Sequence, residues 1–301
     1  MVSPAQKRRA VQGVVAAGLC SQRRACRYLR LNRSSGRYQS KEPTEWLLRL
    51  QQEIETLSRK NPRQGYRKLT RTLREQGWNV GKKLVQRIRR ESGLRVKRGI
   101  RKLRRRGRST GIIPTRSTGL NQVWSWDFIA DRTDNGGKLR ILSVLDEFSR
   151  ECLALHVARK LNAQDLIEVM ERLVAERGAP AHIRSDNGSE FIARILQEWL
   201  TRHSVKTLYI EPGSPWQNGH VESFHGSLRD ECLDREVMLS VAEARVLIED
   251  YRNHYNEERP HGGIGYRTPA QARKEALGST RPPGSLRQEL DPSSLSIMMK
   301  T

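Results

Sequence analysis

Acidic residues are missing from the first 41 positions of this 301-residue chain, while ten lysines and arginines stand there. So one-sided a segment reads as an adhesive for phosphate rather than an ordinary solvated surface, and charge alone leaves DNA or RNA open as its ligand. Cysteine is nearly as scarce. Cys20, Cys26, Cys152 and Cys232 form no C-x-x-C pair and have no histidine cluster beside them. That argues against zinc and against a disulfide framework, and it fits buried thiols in a reducing cytoplasm. Any apolar run near 18 residues is also lacking, and residues 11–19, the one apolar N-terminal stretch, are broken by Gln12 and Gly13. Neither secretion nor membrane insertion is expected.

What is present divides the chain in two. Residues 1–120 hold 33 lysines and arginines against 6 acids, a net charge of +27, whereas residues 121–301 hold 23 against 27, a net charge of −4. The expected organisation has five parts. Residues 1–42 form an N-terminal helix-turn-helix, with Val11, Val14 and Val15 at helical spacing, a turn at Gly18, Ser21 capping a helix over residues 22–29, and a third short helix from Asn32. Residues 43–96 form a second helical DNA-binding unit, with Trp46, Leu47, Leu50, Ile54 and Leu57 in one stripe and a break at Pro62. Its last helix, from Lys82 to Glu91, turns Leu84, Val85 and Ile88 inward and Lys82, Lys83, Arg87, Arg89 and Arg90 outward, the pattern of a major-groove reader. Residues 97–119, with Arg101, Arg104, Arg105 and Arg106, keep no apolar period and read as a basic linker lying along phosphates. Residues 120–275 are a catalytic core, and residues 276–301 a disordered tail.

Within the core the pattern changes to strands and helices. Residues 123–130 alternate, with Trp124, Trp126 and Phe128 on one face and Ser125 and Asp127 on the other. Asn135-Gly136-Gly137 is a turn signal. Residues 138–145 and 152–157 continue as strands in an antiparallel meander. Helices over residues 163–177, 189–203 and 241–256, and strands over residues 181–184 and 205–210, complete an α/β domain with a mixed five-stranded sheet.

Three acids carry the chemistry. Asp127 sits mid-strand, where aspartate is depleted, which favours a ligand at the sheet centre over a solvated edge. Asp186 follows a short strand in Arg-Ser-Asp-Asn-Gly, and alone would be a turn residue. Glu222 lies near a helix start after Asn218-Gly219, and alone would complement the helix dipole. Each acid ends or turns a different element, so the set can converge on one point. Clustered carboxylates need cations, and few hard oxygen ligands suit Mg²⁺ or Mn²⁺, the ions of in-line attack at phosphodiesters. Arg229, seven residues after Glu222, falls on the same helical face and could contact a phosphate. His220 and His225 flank Glu222 and stay open between substrate or metal contact and a purely structural place. Asp146 ends a strand much as Asp186 does, and is expected to be a structural turn acid rather than a fourth ligand.

Four stretches, Trp-Ser-Trp-Asp-Phe, Arg-Ser-Asp-Asn-Gly-Ser-Glu-Phe, the run from Ser214 through Glu222 to Glu231, and Tyr-Asn-Glu-Glu-Arg-Pro-His-Gly-Gly-Ile-Gly-Tyr-Arg-Thr-Pro, resemble the second-frame product (OrfB) of insertion-sequence-three family transposases, relatives of retroviral integrases. The resemblance spans about residues 7–275. It implies an RNase H-like core holding two Mg²⁺ (or Mn²⁺) ions, with Asp127, Asp186 and Glu222 as catalytic ligands, 35 residues standing between the last two. It also implies Arg229 near a DNA end, and N-terminal helices on the terminal inverted repeats of the element. The implied partners are double-stranded DNA, both element end and target, a second copy of the chain at least, and a first-frame OrfA protein or fusion. The implied location is the bacterial cytoplasm, on the nucleoid. A repressor without catalysis, or an RNase H-type nuclease that cuts without joining, are the competing readings.

Overall fold

The computed structural model describes residues 3–38, 42–94, 96, 117–211 and 215–279. Arg101, Arg104, Arg105 and Arg106, most of the linker and the chain after residue 279 lie outside the described residues. The contacts separate two compact units, Met1–Glu53 and Ile54–Thr301.

The first unit contains α1 (Pro4–Ala16), α2 (Gln22–Tyr28) and α3 (Arg33–Arg37). Ser3 and Gln6 close a capping box at the start of α1, and Gly18 takes the left-handed turn (φ +67°) before α2. Ser21 stands at the N-cap of α2 without a side-chain bond, whereas the Asn32 side chain caps α3. Val11, Ala25 and Cys26 are buried together, and Gly36 passes so close to the Cys26 sulfur that a Cβ there would meet it at 2.8 Å. All four cysteines are free, and Cys20 is only half-buried.

In α4 (Glu45–Lys60) the expected stripe is buried at Leu50 and Ile54, half-buried at Leu47 and Leu57, and exposed at Trp46, and α5 (Tyr66–Glu75) and α6 (Lys82–Glu91) follow. Leu69, Leu73, Val85 and Ile88 are buried, and Lys82, Lys83, Arg87 and Arg90 are exposed on α6. Arg89 departs from its expected outward place. Residues 85, 88 and 89 are neighbours on one helix face, so Arg89 points inward and donates from Nη1 to the Gln64 carbonyl at 2.7 Å. Burial lowers its pKa.

The sheet has the order β3-β2-β1-β4-β5, where β1 is Val123–Arg132, β2 Lys138–Asp146, β3 Cys152–Ala158, β4 His182–Ser185 and β5 Lys206–Tyr209. β1, β2 and β3 form the antiparallel meander, while β4 runs parallel to β1 and to β5. This is the RNase H-like arrangement. Strand alternation decides the two layers. Trp124, Trp126, Leu142 and Val144 bury themselves under α7 (Ala163–Arg177) and α8 (Arg194–Arg202), through Leu166, Met170 and Trp199. Ile129, Leu139, Ile141 and Leu145 face α9 (Gly219–Leu228) and α10 (Val241–Glu257), through Val221, Phe224, Ile248 and Tyr255. Each such large apolar side chain contributes about 1.5–3 kcal/mol of burial. α11 (Pro269–Ser279) closes the described chain, four residues past the expected core boundary. No helix among the described residues is long and apolar enough to cross a membrane.

The helix expected over residues 189–203 starts at Arg194 instead. Phe191 is drawn out of helical register into a stack on the first strand, its ring centroid 5.0 Å from Trp126 and 4.9 Å from Phe128. Arg140 covers the other side of Phe128 at 3.9 Å and pairs with Glu190. Tertiary stacking has overridden helix propensity over residues 189–193.

Candidate active site

Asp127 lies at the middle of β1, opposite Ser143 on β2, on the face that looks toward α9. The parallel pairing of β1 with β4 sets Ser125 beside Arg184, and two further residues along that register bring Asp186, just past the end of β4, alongside Asp127. Neighbouring strands stand about 4.8 Å apart, so the two acids are near neighbours by sheet geometry alone. Glu222 comes from the first turn of α9, which packs across β1 and β2. Asp186 and Glu222 are exposed, whereas Asp127 is largely buried.

The electrostatics report the convergence. Burial raises the Asp127 pKa to about 6, the charges of Asp186 and Glu222 push it the same way, and a bond from the Phe128 amide to Oδ1 at 2.7 Å opposes them. A divalent cation would relieve that repulsion, and the donor set of three hard carboxylates suits one. Among the described residues, no group of three or more His, Cys, Asp or Glu side chains already stands close enough to hold an ion. The chemistry of the three carboxylates fits a hard divalent cation.

The Asp186 turn is fixed by its neighbours. Its Oδ1 accepts from the Gly188 amide at 3.0 Å, and a Cβ on Gly188 would meet Asp186 Oδ1 at 3.1 Å and the Phe191 ring at 3.2 Å. Only glycine fits there without a shift. The stacked Phe191 thus ties the turn of Asp186 to the strand of Asp127.

Of the two histidines beside Glu222, His225 faces Asp127. His225, one turn after Glu222, places Nδ1 3.8 Å from Asp127 Oδ2 and Nε2 2.7 Å from Ser143 Oγ, and that hydroxyl donates to the Asp127 carbonyl at 3.1 Å. Burial first, and then the charge of Arg229, lower its pKa to about 4. The spacing of three from Glu222 on a helix was the available signal, and it applies to no single partner until α9 is docked. Arg229 begins a π-helical turn (Arg229–Leu233) and donates from Nη2 to the carbonyl of Ala130, three residues beyond Asp127. Its Nη1 also stands 4.0 Å from Asp234 Oδ1, and the side chain is 46% exposed. Asp146, as expected, is structural: Oδ1 accepts from the Phe148 and Ser149 amides and the Ser149 hydroxyl, and Oδ2 from the Asn121 amide. Oδ1 is filled by three bonds within its own turn, and Oδ2 ties that turn to Asn121.

Three family models match the chain, an integrase core domain over residues 117–215, a further integrase core domain over residues 203–269 and a helix-turn-helix-like domain over residues 45–106. A 39.2 kDa protein of insertion element IS476 from Xanthomonas euvesicatoria is 34% identical over 90% of this chain and 77% of its own. A 31.7 kDa protein of insertion element IS407 from Burkholderia multivorans is 34% identical over 83% of this chain and 90% of its own. Transposase InsF of insertion sequence IS3A from Escherichia coli is 27% identical over 74% of this chain and 81% of its own. The HTLV-2 integrase catalytic core domain solved with magnesium aligns at 19% identity and a TM-score of 0.42, covering 52% of this chain and 99% of that one.

Sheet order and matched models together define an integrase-core protein preceded by a helix-turn-helix-like DNA-binding segment. Within that class the chain belongs to the insertion-sequence-three family: it is an insertion-sequence transposase.

Proposed function

We propose that the chain cuts a DNA strand at the end of its element to free a 3′-hydroxyl, and then joins that hydroxyl to target DNA, with Asp127, Asp186 and Glu222 as ligands for Mg²⁺ or Mn²⁺, two ions per site. The observation that carries this reading is the convergence of three acids: the β1–β4 register sets Asp186 beside Asp127, and α9, with Glu222 in its first turn, packs across β1 and β2. A divalent ion held there would lower the pKa of an attacking water or hydroxyl and neutralise charge on the leaving 3′-oxygen. The residues themselves supply position and charge balance, with no covalent enzyme intermediate. Ser143, itself bonded to His225, holds the Asp127 strand in place through the Asp127 carbonyl, and Arg229 is proposed to meet a phosphate near the DNA end. Lys82, Lys83 and Arg87, exposed on α6, are proposed to read the terminal inverted repeats, with Arg101, Arg104, Arg105 and Arg106 along the backbone.

The domain scheme with boundaries at residues 42, 96, 119 and 275 belongs to the same proposal. So do assembly of at least two copies on paired element ends, a first-frame partner or fusion, and a place on the bacterial nucleoid. A repressor gives no reason for three acids to gather on the sheet, and a plain nuclease gives none for the basic reader helices.

The test uses the purified chain, a labelled duplex carrying the element end and a plasmid target, in Mg²⁺, Mn²⁺ or EDTA. Nicking and 3′-end joining are expected only with metal, and neither is expected from Glu222→Gln. Binding without cleavage by the wild-type chain, even after the first-frame partner is added, would point to the repressor instead. In the same assay Gly188→Ala is expected to slow nicking by roughly tenfold with little change in melting temperature, because small misplacements of a reacting group are expensive. A wild-type rate would mean that the Asp186 turn gives way freely.

A further inference from the structure

The stretch Tyr-Asn-Glu-Glu-Arg-Pro-His at residues 255–261 holds a buried ion pair that the three acids do not use. The side chains of Arg259 and Glu231 are 5% and 13% exposed. The Arg259 guanidinium donates from Nε and Nη2 to the two Glu231 oxygens at 2.6 and 2.7 Å, and from Nη2 to the Ser227 hydroxyl at 2.9 Å. Ser227 belongs to α9 and Glu231 to the π-helical turn that continues it. Both acceptors therefore sit on the helical run that carries Glu222. The same stretch grips its surroundings twice more. Tyr255 meets Phe224 of α9 edge to face at 4.8 Å. The Asn256 amide accepts from the Cys152 N–H and donates to the Cys152 carbonyl on β3, both at 2.9 Å. The end of α10 thus fastens the helix of Glu222 to the sheet.

A third charge reaches the pair from the helical segment. Lys68 on α5 is half-buried, and its pKa falls to about 8, through burial first and then the charge of Arg259, with Glu231 opposing. The contacts around Lys68 are also ionic, with Arg63 3.1 Å from Asp230 and Lys60 3.3 Å from Glu258, all four side chains about half-exposed. Exposed pairs of this kind add little stability. A cavity of about 560 Å³ is lined from both sides, by Lys60 and Arg63 of the helical segment and by Glu231, Tyr251 and His254 among others. Burying the Arg259–Glu231 pair is expensive, and apolar residues of the same size would serve stability as well or better. Retaining such a pair makes sense where position matters more than stability.

We propose that Arg259 is a positioning residue for Glu222, and that Lys68 makes this positioning depend on docking of the segment that carries α5 and α6. The proposal rests on the reading of Glu222 as a metal ligand. Glu222 precedes Glu231 by nine residues, about 13 Å along a stiff helical run, so a shift at the ion pair is carried to the acid. A reader helix seated on DNA and an acid ready for metal are then linked through one cluster.

The test compares the full chain with Lys68→Met, Arg259→Lys and the double variant Arg259→Met with Glu231→Met. Four quantities are read: melting temperature without metal, the Mn²⁺ concentration that half-saturates the metal-induced rise in melting temperature, amide exchange over residues 219–233, and binding to the end duplex. The double variant is expected to melt near the wild type and bind DNA as tightly, while its half-saturating Mn²⁺ rises about tenfold and its 219–228 amides exchange faster. Lys68→Met is expected to move both readouts the same way by a smaller factor. A double variant with wild-type metal response and exchange would overturn the positioning role, and an unchanged Lys68→Met would overturn the coupling. Should the double variant fail to fold, Arg259→Lys, which keeps the charge but loses the fork, decides in the same terms. Glu222→Gln separates the two readings. If it takes up Mn²⁺ like the wild type, Glu222 is not a ligand, whereas exchange over residues 219–228 still reports whether Arg259 holds the helix.

Discussion

Asp127→Asn is expected to slow strand cleavage by about 10³-fold or more while leaving affinity for the element end unchanged. Metal assistance contributes several kcal/mol to such a reaction, and each 1.36 kcal/mol is a factor of ten. Asparagine keeps the shape of the side chain and can still accept the Phe128 amide bond at Oδ1, so the strand has no reason to move. What disappears is the charge that would bind metal, together with the repulsion from Asp186 and Glu222. The variant should therefore melt at or above the wild-type temperature in EDTA and lose the rise that Mn²⁺ produces in the wild type. Nicking assays beside thermal melts with and without Mn²⁺ measure both halves. A variant that cuts at the wild-type rate would remove Asp127 from the site, and one that melts well below the wild type would make Asp127 a structural residue.

Arg184→Met should cost about 3–5 kcal/mol of stability, the largest structural effect expected of a single change outside the acids. Arg184, on β4 two residues before Asp186, donates from Nε to Glu147 Oε1 at 2.8 Å, and both side chains are only 3% exposed. Removing the guanidinium leaves the Glu147 carboxylate buried, with the nearby charge of Arg150 as partial compensation. The pH dependence has a definite sign. Burial already holds the Glu147 pKa above the usual carboxylate value, against the pull of Arg184, and without Arg184 it climbs further. A carboxyl whose folded pKa is raised adds stability below its unfolded pKa and loses it as pH rises through the folded one. The deficit of the variant should therefore be larger at pH 8 than at pH 5. Urea denaturation of both chains across that range measures it, and adding Glu147→Leu should return most of the loss. Equal stability of the two chains at pH 8 would show that the pair contributes nothing.

Much of the architecture could be read before any coordinates, wherever the cause is local. The alternation of residues 123–130, the turn at Asn135-Gly136-Gly137 and the apolar period of α7 are short-range signals; α7 has the expected bounds and β1 runs two residues longer. Asp146 was separable from Asp186 in principle, because Glu-Phe-Ser after it offers amides and a hydroxyl for an aspartate to cap. Readings failed where a distant partner intervened. Arg89 looked like one more outward cation until the Gln64 carbonyl, 25 residues away, gave its guanidinium a buried acceptor. The start of α8 moved because Phe191 found Trp126 and Phe128, and no helix propensity in residues 189–193 records those rings.

Charge, period and turn chemistry act over a few residues, so the basic half, the alternating α/β half and the three acids at the ends or centre of their elements are written locally in the chain. Packing of the layers places β1 between β2 and β4, which seats Asp186 beside Asp127, and brings α9 across that pair with Glu222 and His225 turned toward it. It also decided that Arg259 grips α9 from 37 residues beyond Glu222. Such contacts join residues tens of positions apart, and their distances are set by how layers pack rather than by any local preference of the chain.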